Sequence, residues 1–308
     1  MASSVLKRPS VKASASTPSK TAISLTTLQD YIGAMVKYAE TQPLFKCYRG
    51  QRDSVWRNIP ALFRPDLAKL AESEKRAVRD LVSIHPGEFS NDDTMFDRLV
   101  RMQHFGLPSR LMDVSQNPLV ALYFATDLGP QGEESDGAVT AFAIPEEREK
   151  YFDSDAVSCL ANLSNMTARE KDEIIKLRTL RLKGTTKDAE IARVNDENVY
   201  RRLHQFIRSE KPHFLPIIDP IDLFKPYYVH PKMSNRRILS QAGGFIIHGL
   251  VPEKRINFAH PIEETKFVIP KDAKKQLRND LELLGISDST LFPELDRAAN
   301  RIKAAYSS

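Results

Sequence analysis

Gln103-His104-Phe105-Gly106-Leu107-Pro108-Ser109-Arg110-Leu111-Met112-Asp113-Val114-Ser115-Gln116-Asn117-Pro118 sets polar residues of very different chemistry between apolar neighbours. Upstream, Met95, Phe96, Leu99 and Val100 recur at helical spacing, so a helix is predicted from Asn91 or Asp92 to Phe105, with Gly106 as its stop. Downstream, Asn117 reads as an N-cap and Pro118 as the first helical residue. An apolar helix then runs through Leu119, Val120, Leu122, Tyr123 and Phe124 to Gly129-Pro130. A reactive-looking loop is therefore held between two helices.

Working outward, Ser24 or Thr26/Thr27 caps a helix carrying Leu28, Tyr31, Ile32, Met35, Val36 and Tyr38. The period then changes: Leu44 to Arg49, stopped by Gly50, reads as a short strand with Phe45, Cys47 and Arg49 on one face. A helix over Glu74 to Ile84 and strands at Ala138 to Ile144, Phe214 to Ile218, Tyr227 to Val229, Gly243 to Gly249 and Thr265 to Ile269 follow the same logic. Asn195 or Asp196 caps a helix to Glu210, Ser234 to Ser240 is a turn or short helix, and helices near 272–284 and 293–305 close the chain. The charged stretch 146–198, poor in branched apolar residues, is expected to be a peripheral helical insert. Strands scattered among helices without βαβ alternation predict an α+β fold, a mixed, mainly antiparallel sheet flanked by helices.

The 308 residues suit one elaborated domain, 23–308, after a tail at 1–22. No stretch approaches the roughly 18 to 20 uninterrupted apolar residues of a membrane span. Two cysteines, Cys47 and Cys159, make no disulfide framework and no metal-ligand spacing, which fits a reducing cytoplasm. The start has no apolar secretory core; Lys7, Arg8, Lys12 and Lys20 stand among Ser, Ala and Thr, as in a disordered solvated tail. Removing those four charges from the formal +5 leaves about +1 for the body. Nucleic-acid contact, if made, is therefore expected of the tail and weak. The seven histidines show no H-E-x-x-H spacing, so no metal is expected, and Walker A and G-x-G-x-x-G motifs are absent.

Three blocks in order resemble the FRG family, named for an aromatic-Arg-Gly motif near its start. They are Tyr48-Arg49-Gly50 followed by Gln51; the long block Gln103 to Asp113 running into Asn117 to Ala125; and Arg237-Ile238 with Gln241, Gly243 or Gly244, and Phe245. Gly285-Ile286 and Leu291 to Asp296 resemble the family's closing helix-turn-helix, so the likeness extends over roughly 25–305. Ser109, Met112 and Val114 stand where Thr, Leu and Trp are usual, and the missing indole changes the wall of any pocket.

The layout is also similar to the arginine-serine-glutamate class of ADP-ribosyltransferases, which implies NAD as substrate and a macromolecular acceptor, while the FRG resemblance implies the setting of a toxin or antiphage effector. Under that resemblance Arg49 grips the dinucleotide with Tyr48 and Gly50 beside it, and Asp113 to Ser115 falls on the Ser-Thr-Ser element. Arg110 belongs to the same binding group. Gln241 stands at the catalytic glutamate's position, and a glutamine lacks the charge that stabilises an oxocarbenium-like state, which leaves Asp113 to supply the carboxylate. His104 adds a titratable group for proton transfer or for binding the adenosine side. Each residue also has a structural reading: Arg49 paired with Asp113, Arg110 clamping carbonyls, Gln241 satisfying backbone groups, Ser115 opening a turn, His104 hydrogen-bonded in place, Cys47 simply buried. The alternative overall is a non-catalytic nucleic-acid-binding or regulatory module.

Overall fold

The computed structural model describes residues 23–129, 135–179, 186–233, 235–251 and 256–293. The basic tail at 1–22 lies outside the described residues, as does all but the first residue of the helix expected at 293–305. The strands are β1 (Ile23–Ser24), β2 (Phe45–Gln51), β3 (Leu111–Ser115), β4 (Gly137–Ile144), β5 (Glu149–Tyr151), β6 (Tyr227–His230), β7 (Gly243–Ile247) and β8 (Glu263–Ile269). The helices are α1 (Leu28–Thr41), α2 (Ala68–Glu72), α3 (Glu74–Ile84), α4 (Met95–His104), α5 (Pro118–Ala125) and α6 (Asp155–Asn162). They continue with α7 (Ala168–Thr179), α8 (Lys187–Asn195), α9 (Asn198–Glu210), α10 (Arg236–Ser240), α11 (Lys274–Leu283) and α12 (Asp288–Leu291).

One sheet runs β1-β8-β4-β2-β3-β7-β6-β5, so the fold is α+β with a mixed, mainly antiparallel sheet. Only β1 with β8 and β5 with β6 are parallel among these neighbours. The two halves of the sheet meet differently from the strands within them. β2 pairs with β4 along its whole length, whereas β2 and β3 are bridged only at Tyr48↔Ser115. Beyond that bridge the strands part, and a cleft opens between the ends that carry Arg49 and Asp113.

Strand alternation sorts the side chains onto two unlike faces. Tyr48, Val139, Ala141 and Phe267 point toward α1, α5 and α11, while Leu111, Phe245 and Ile247 join the core around α4, α6 and α9. Cys47, Met112, Val114, Phe142, Tyr228 and Ile246 form a smaller cluster on the opposite face. Both large cores thus lie on one side of the sheet, and Arg49, next to Tyr48, belongs to the other.

Two expectations are corrected. The stretch 146–198 is helical, as expected, but its helices are not peripheral: Val157, Leu160, Leu163, Ile174 and Val194 are fully buried in the larger core. Few apolar residues suffice there because each sits on the inward side of its helix and the charges take the outer side. The segment 214–218 forms no strand. Pro212, Pro216 and Pro220 remove donors from that stretch, and the Asn195 side chain replaces a ladder, accepting from Ile218 N at 2.9 Å and donating to Ile218 O at 2.8 Å.

The start of α5 is built as its sequence predicts. Asn117 Oδ1 accepts from Leu119 N at 2.9 Å, and Asn117 N donates to Ser115 Oγ at 2.9 Å. Asn117→Ala is expected to lower stability by about 1 kcal/mol in urea unfolding, the usual cost of a lost cap.

Candidate functional site

The cleft between β2 and β3 is about 150 Å³ and is lined by Tyr48, Arg49, Gly50, Asp113, Ser115, Arg237 and Gln241, among others. Three sequence blocks that lie far apart in the chain therefore converge on one place. The convergence follows from topology, since β3 is the neighbour of both β2 and β7.

Arg49 does not pair with the Asp113 carboxylate. Its Nη1 donates to the Asp113 main-chain carbonyl at 2.7 Å, and its buried Nε has no partner among the described residues. Burial lowers the guanidinium's pKa, with the Asp113 charge opposing and the Arg64 charge reinforcing that fall. The Asp113 carboxylate is instead held by Gln103, whose Nε2 donates to Oδ2 at 2.6 Å. Gln103 is itself fixed by Ser109, whose Oγ donates to Gln103 Oε1 at 2.6 Å. An exposed carboxylate on β3 is thus aimed by Gln103 of α4, which is itself held by Ser109 of the connection between the two elements.

Ser115 and Gln241 are tied to main chain. Ser115 Oγ donates to the Gln241 carbonyl at 2.7 Å, and Gln241 Nε2 donates to the Leu291 carbonyl at 3.0 Å. These bonds join β3, the end of α10 and α12 into the far wall of the cleft. Gly50 serves that wall as well. A Cβ there would lie 1.8 Å from Ala121 O and 2.8 Å from Ala125 N, so its small size is demanded by the contact of β2 with α5. The buried Tyr48 packs in the core beneath α5.

Two sequence candidates lie elsewhere. Arg110 is 1% exposed and does not reach the cleft. Its Nε and Nη2 donate to Glu74 at 2.9 and 2.5 Å, and its Nη1 donates to the carbonyls of His248 and Gly249. Its donors are taken up inside the protein, so the expected ligand contact is replaced by a buried anchor. His104, the last residue of α4, is not part of the cleft lining; its Nδ1 accepts from Asn235 Nδ2 at 2.8 Å. Asn235 Oδ1 caps α10 by accepting from Arg237 N at 2.8 Å, so His104 steadies the helix that carries Arg237. Cys47 is fully buried, and burial pushes its thiol well up, away from a nucleophilic thiolate.

Arg237 is the residue whose role sequence reasoning missed. It opens the third block, yet Gln241 drew attention there because it stood where a carboxylate was sought. In the fold Arg237 lines the cleft with its guanidinium 5.1 Å from the Phe292 ring centroid. With Arg49 it makes two cations against one carboxylate, a balance that favours an anionic ligand. A larger cavity, about 600 Å³, lies between α6 and residues 211–222, but its Lys211 is already paired with Asp155 and its walls are largely apolar. Volume points there; chemistry points to the split in the sheet.

These features define an α+β protein whose single sheet parts to expose a small cleft bearing two guanidinia and a carboxylate. Residues 46–134, a stretch that includes β2 through α5, match the family model of the FRG domain. No curated protein and no solved structure matches the chain. Among the described residues no helix is long and apolar enough to cross a membrane.

Proposed function

We propose that the cleft binds the anionic part of NAD and that the protein is an ADP-ribosyltransferase-like enzyme modifying a macromolecule, a protein or a nucleic acid. The observation that carries this reading is the convergence of Arg49, Arg237 and the Gln103-held Asp113 on one cleft. A guanidinium matches phosphate oxygens with a two-pronged fork, which suits both arginines. Asp113 offers the negative charge that an oxocarbenium-like state requires when the nicotinamide bond breaks. Gln241, uncharged and bound to Leu291, orients a ribose hydroxyl instead of supplying charge. A cleft of about 150 Å³ admits one end of a dinucleotide, and the rest lies along its open side. A toxin or antiphage effector is the setting that accompanies the FRG resemblance.

Thermal unfolding with and without NAD tests the proposal. Wild type is expected to show a saturable rise in Tm, reaching about 2.7 kcal/mol of added stability at a hundredfold excess over Kd. Arg49→Ala and Arg237→Ala, each verified as folded, should lose the rise. Asp113→Asn should keep it while nicotinamide release falls by about 100-fold or more. A rise retained in both arginine variants would remove the cleft from consideration.

One observation favours a second reading, nucleic-acid binding. The partly exposed Trp56 has the guanidinia of Arg52 and Arg64 over its ring at 5.1 and 5.5 Å, a cluster of planar groups on which an unpaired base can stack. Under that reading binding weakens steeply with salt and with Trp56→Ala, and NAD has no effect.

A further inference from the structure

α10, which carries the cleft residue Arg237, is five residues long, too short to keep its shape unaided, so what fixes it lies outside it. Its C-terminal end is tied to α12, where Ser240 Oγ and Gln241 Nε2 both donate to the Leu291 carbonyl at 3.0 Å. Its N-terminal end rests on the side-chain amide of Asn235. That amide accepts through Oδ1 from the Arg237 N–H at 2.8 Å and donates through Nδ2 to His104 Nδ1 at 2.8 Å.

The main chain decides which way the amide points. A backbone N–H can only donate, so Oδ1 must face Arg237 and Nδ2 must face His104. His104 Nδ1 is then an acceptor, and the proton of the neutral ring sits on Nε2. Protonation adds a hydrogen at Nδ1. Asn235 then stands between two donors with one oxygen to offer. Either the amide keeps Arg237 and sets N–H against N–H at His104, or it turns to His104 and leaves the first turn of α10 uncapped.

The charged side chains of the elements around the ring are Arg98 and Arg101 on α4, Asp113 on β3, Lys232 before α10, and Arg236 and Arg237 on α10 itself. β7 adds the Phe245 ring, 6.5 Å away between centroids. The carboxylates here already hold other donors: Asp92 takes Arg101, Asp93 and Asp97 take Lys232, and Asp113 takes Gln103. Asn235 is the group in hydrogen-bond contact with Nδ1.

We propose that His104 is a proton-sensitive positioning residue for the cleft. Neutral, it holds the start of α10 through Asn235 and keeps Arg237 in place; protonated, it releases that hold and weakens the grip on an anion. The inference rests on the reading of the cleft as the site where NAD binds through Arg237.

NMR of the full chain from pH 8 to pH 5, a range that brackets the ordinary titration of a histidine, tests the latch with no ligand present. Neutral His104 should carry its proton on Nε2, and the Arg237 amide resonance should move with the same midpoint as the His104 ring. Asn235→Asp keeps a good cap and shows His104 an acceptor in either state, so there the Arg237 amide should not follow the ring. Thermal stabilisation by NAD reads the consequence. Wild type should bind about threefold to tenfold more weakly at pH 5 than at pH 8, the scale of a lost cap, and Asn235→Asp should show no such fall. A proton on Nδ1 of the neutral ring, an Arg237 amide that ignores the ring's titration, or an equal fall in Asn235→Asp overturns the latch. If NAD has no effect at any pH, the NAD reading fails, and the coincidence of the two midpoints still decides for or against the latch.

Discussion

Glu74→Ala is expected to lower the unfolding free energy by about 3–5 kcal/mol, the largest effect of any single side-chain truncation considered for this protein. Glu74 is 4% exposed and takes both Arg110, at 2.9 and 2.5 Å, and Lys171, at 2.5 Å. Removing the carboxylate leaves two cations in the interior, one of them 1% exposed, with no counter-charge there. Phe63, whose ring centroid lies 5.7 Å from the Arg110 guanidinium, and the carbonyls of His248 and Gly249 cannot replace it. The measurement is urea unfolding of both proteins at pH 7. A triple replacement of Glu74, Arg110 and Lys171 by apolar residues of similar size should recover much of the loss, because the desolvation cost of the ions goes with them.

The same cluster predicts an acid response. Burial alone would raise the Glu74 pKa, but Arg110 and Lys171 overcome it and hold the carboxyl below its ordinary value. A folded pKa below the unfolded one means the contribution is complete above about pH 4.3 and is lost as pH falls through the folded value. Wild type should therefore lose more stability on acidification than Glu74→Gln, whose acid limb should be flatter. Equal slopes would show that the carboxylate is not held by its partners.

Gly50→Ala carries the second large effect, a loss of about 3 kcal/mol or more in the same unfolding measurement. The added methyl would stand 1.8 Å from a backbone oxygen of α5; its position is fixed by the β2 backbone, and its opponent is main chain. No rotamer change relieves it; α5 must move off the sheet. That displacement carries Val120, Ala121 and Phe124, which wall the cleft, so the NAD stabilisation proposed for the wild type should vanish even under conditions where the variant remains folded. A variant as stable as wild type would mean that β2 and α5 do not touch as described. The glycine of the aromatic-Arg-Gly motif thus has a packing reason that stands whether or not the cleft is catalytic.

Much of this protein was legible in its sequence because the relevant signals are local. Thr27 and Asn117 as helix caps, the Pro118 start of α5, and β2 and β4 can be read from neighbours within a few residues. The α+β class followed from their order, and the FRG resemblance picked out Arg49, Asp113, Ser115 and Gln241, which the fold does bring to one cleft. Local reading failed where the deciding partner is remote. Arg110 and Arg49 are alike in sequence terms, yet Glu74 turns the first inward and the parting of β2 from β3 leaves the second at a cleft. The 146–198 stretch read as peripheral because its charges outnumber its apolar residues, and only packing against α4 and α9 shows that those few are fully buried.

The sequence by itself determined where most helices and strands form and which residues carry chemistry, since caps, periodicity and residue type act over one or two turns of chain. The tertiary structure alone decided which of those residues meet. Strand order set β3 between β2 and β7, a single bridge let the sheet open, and strand alternation sent Arg49 and Asp113 to opposite faces of it. Those outcomes depend on pairings between residues more than sixty positions apart, whose register is set by burial on both faces at once and leaves no local mark in the chain.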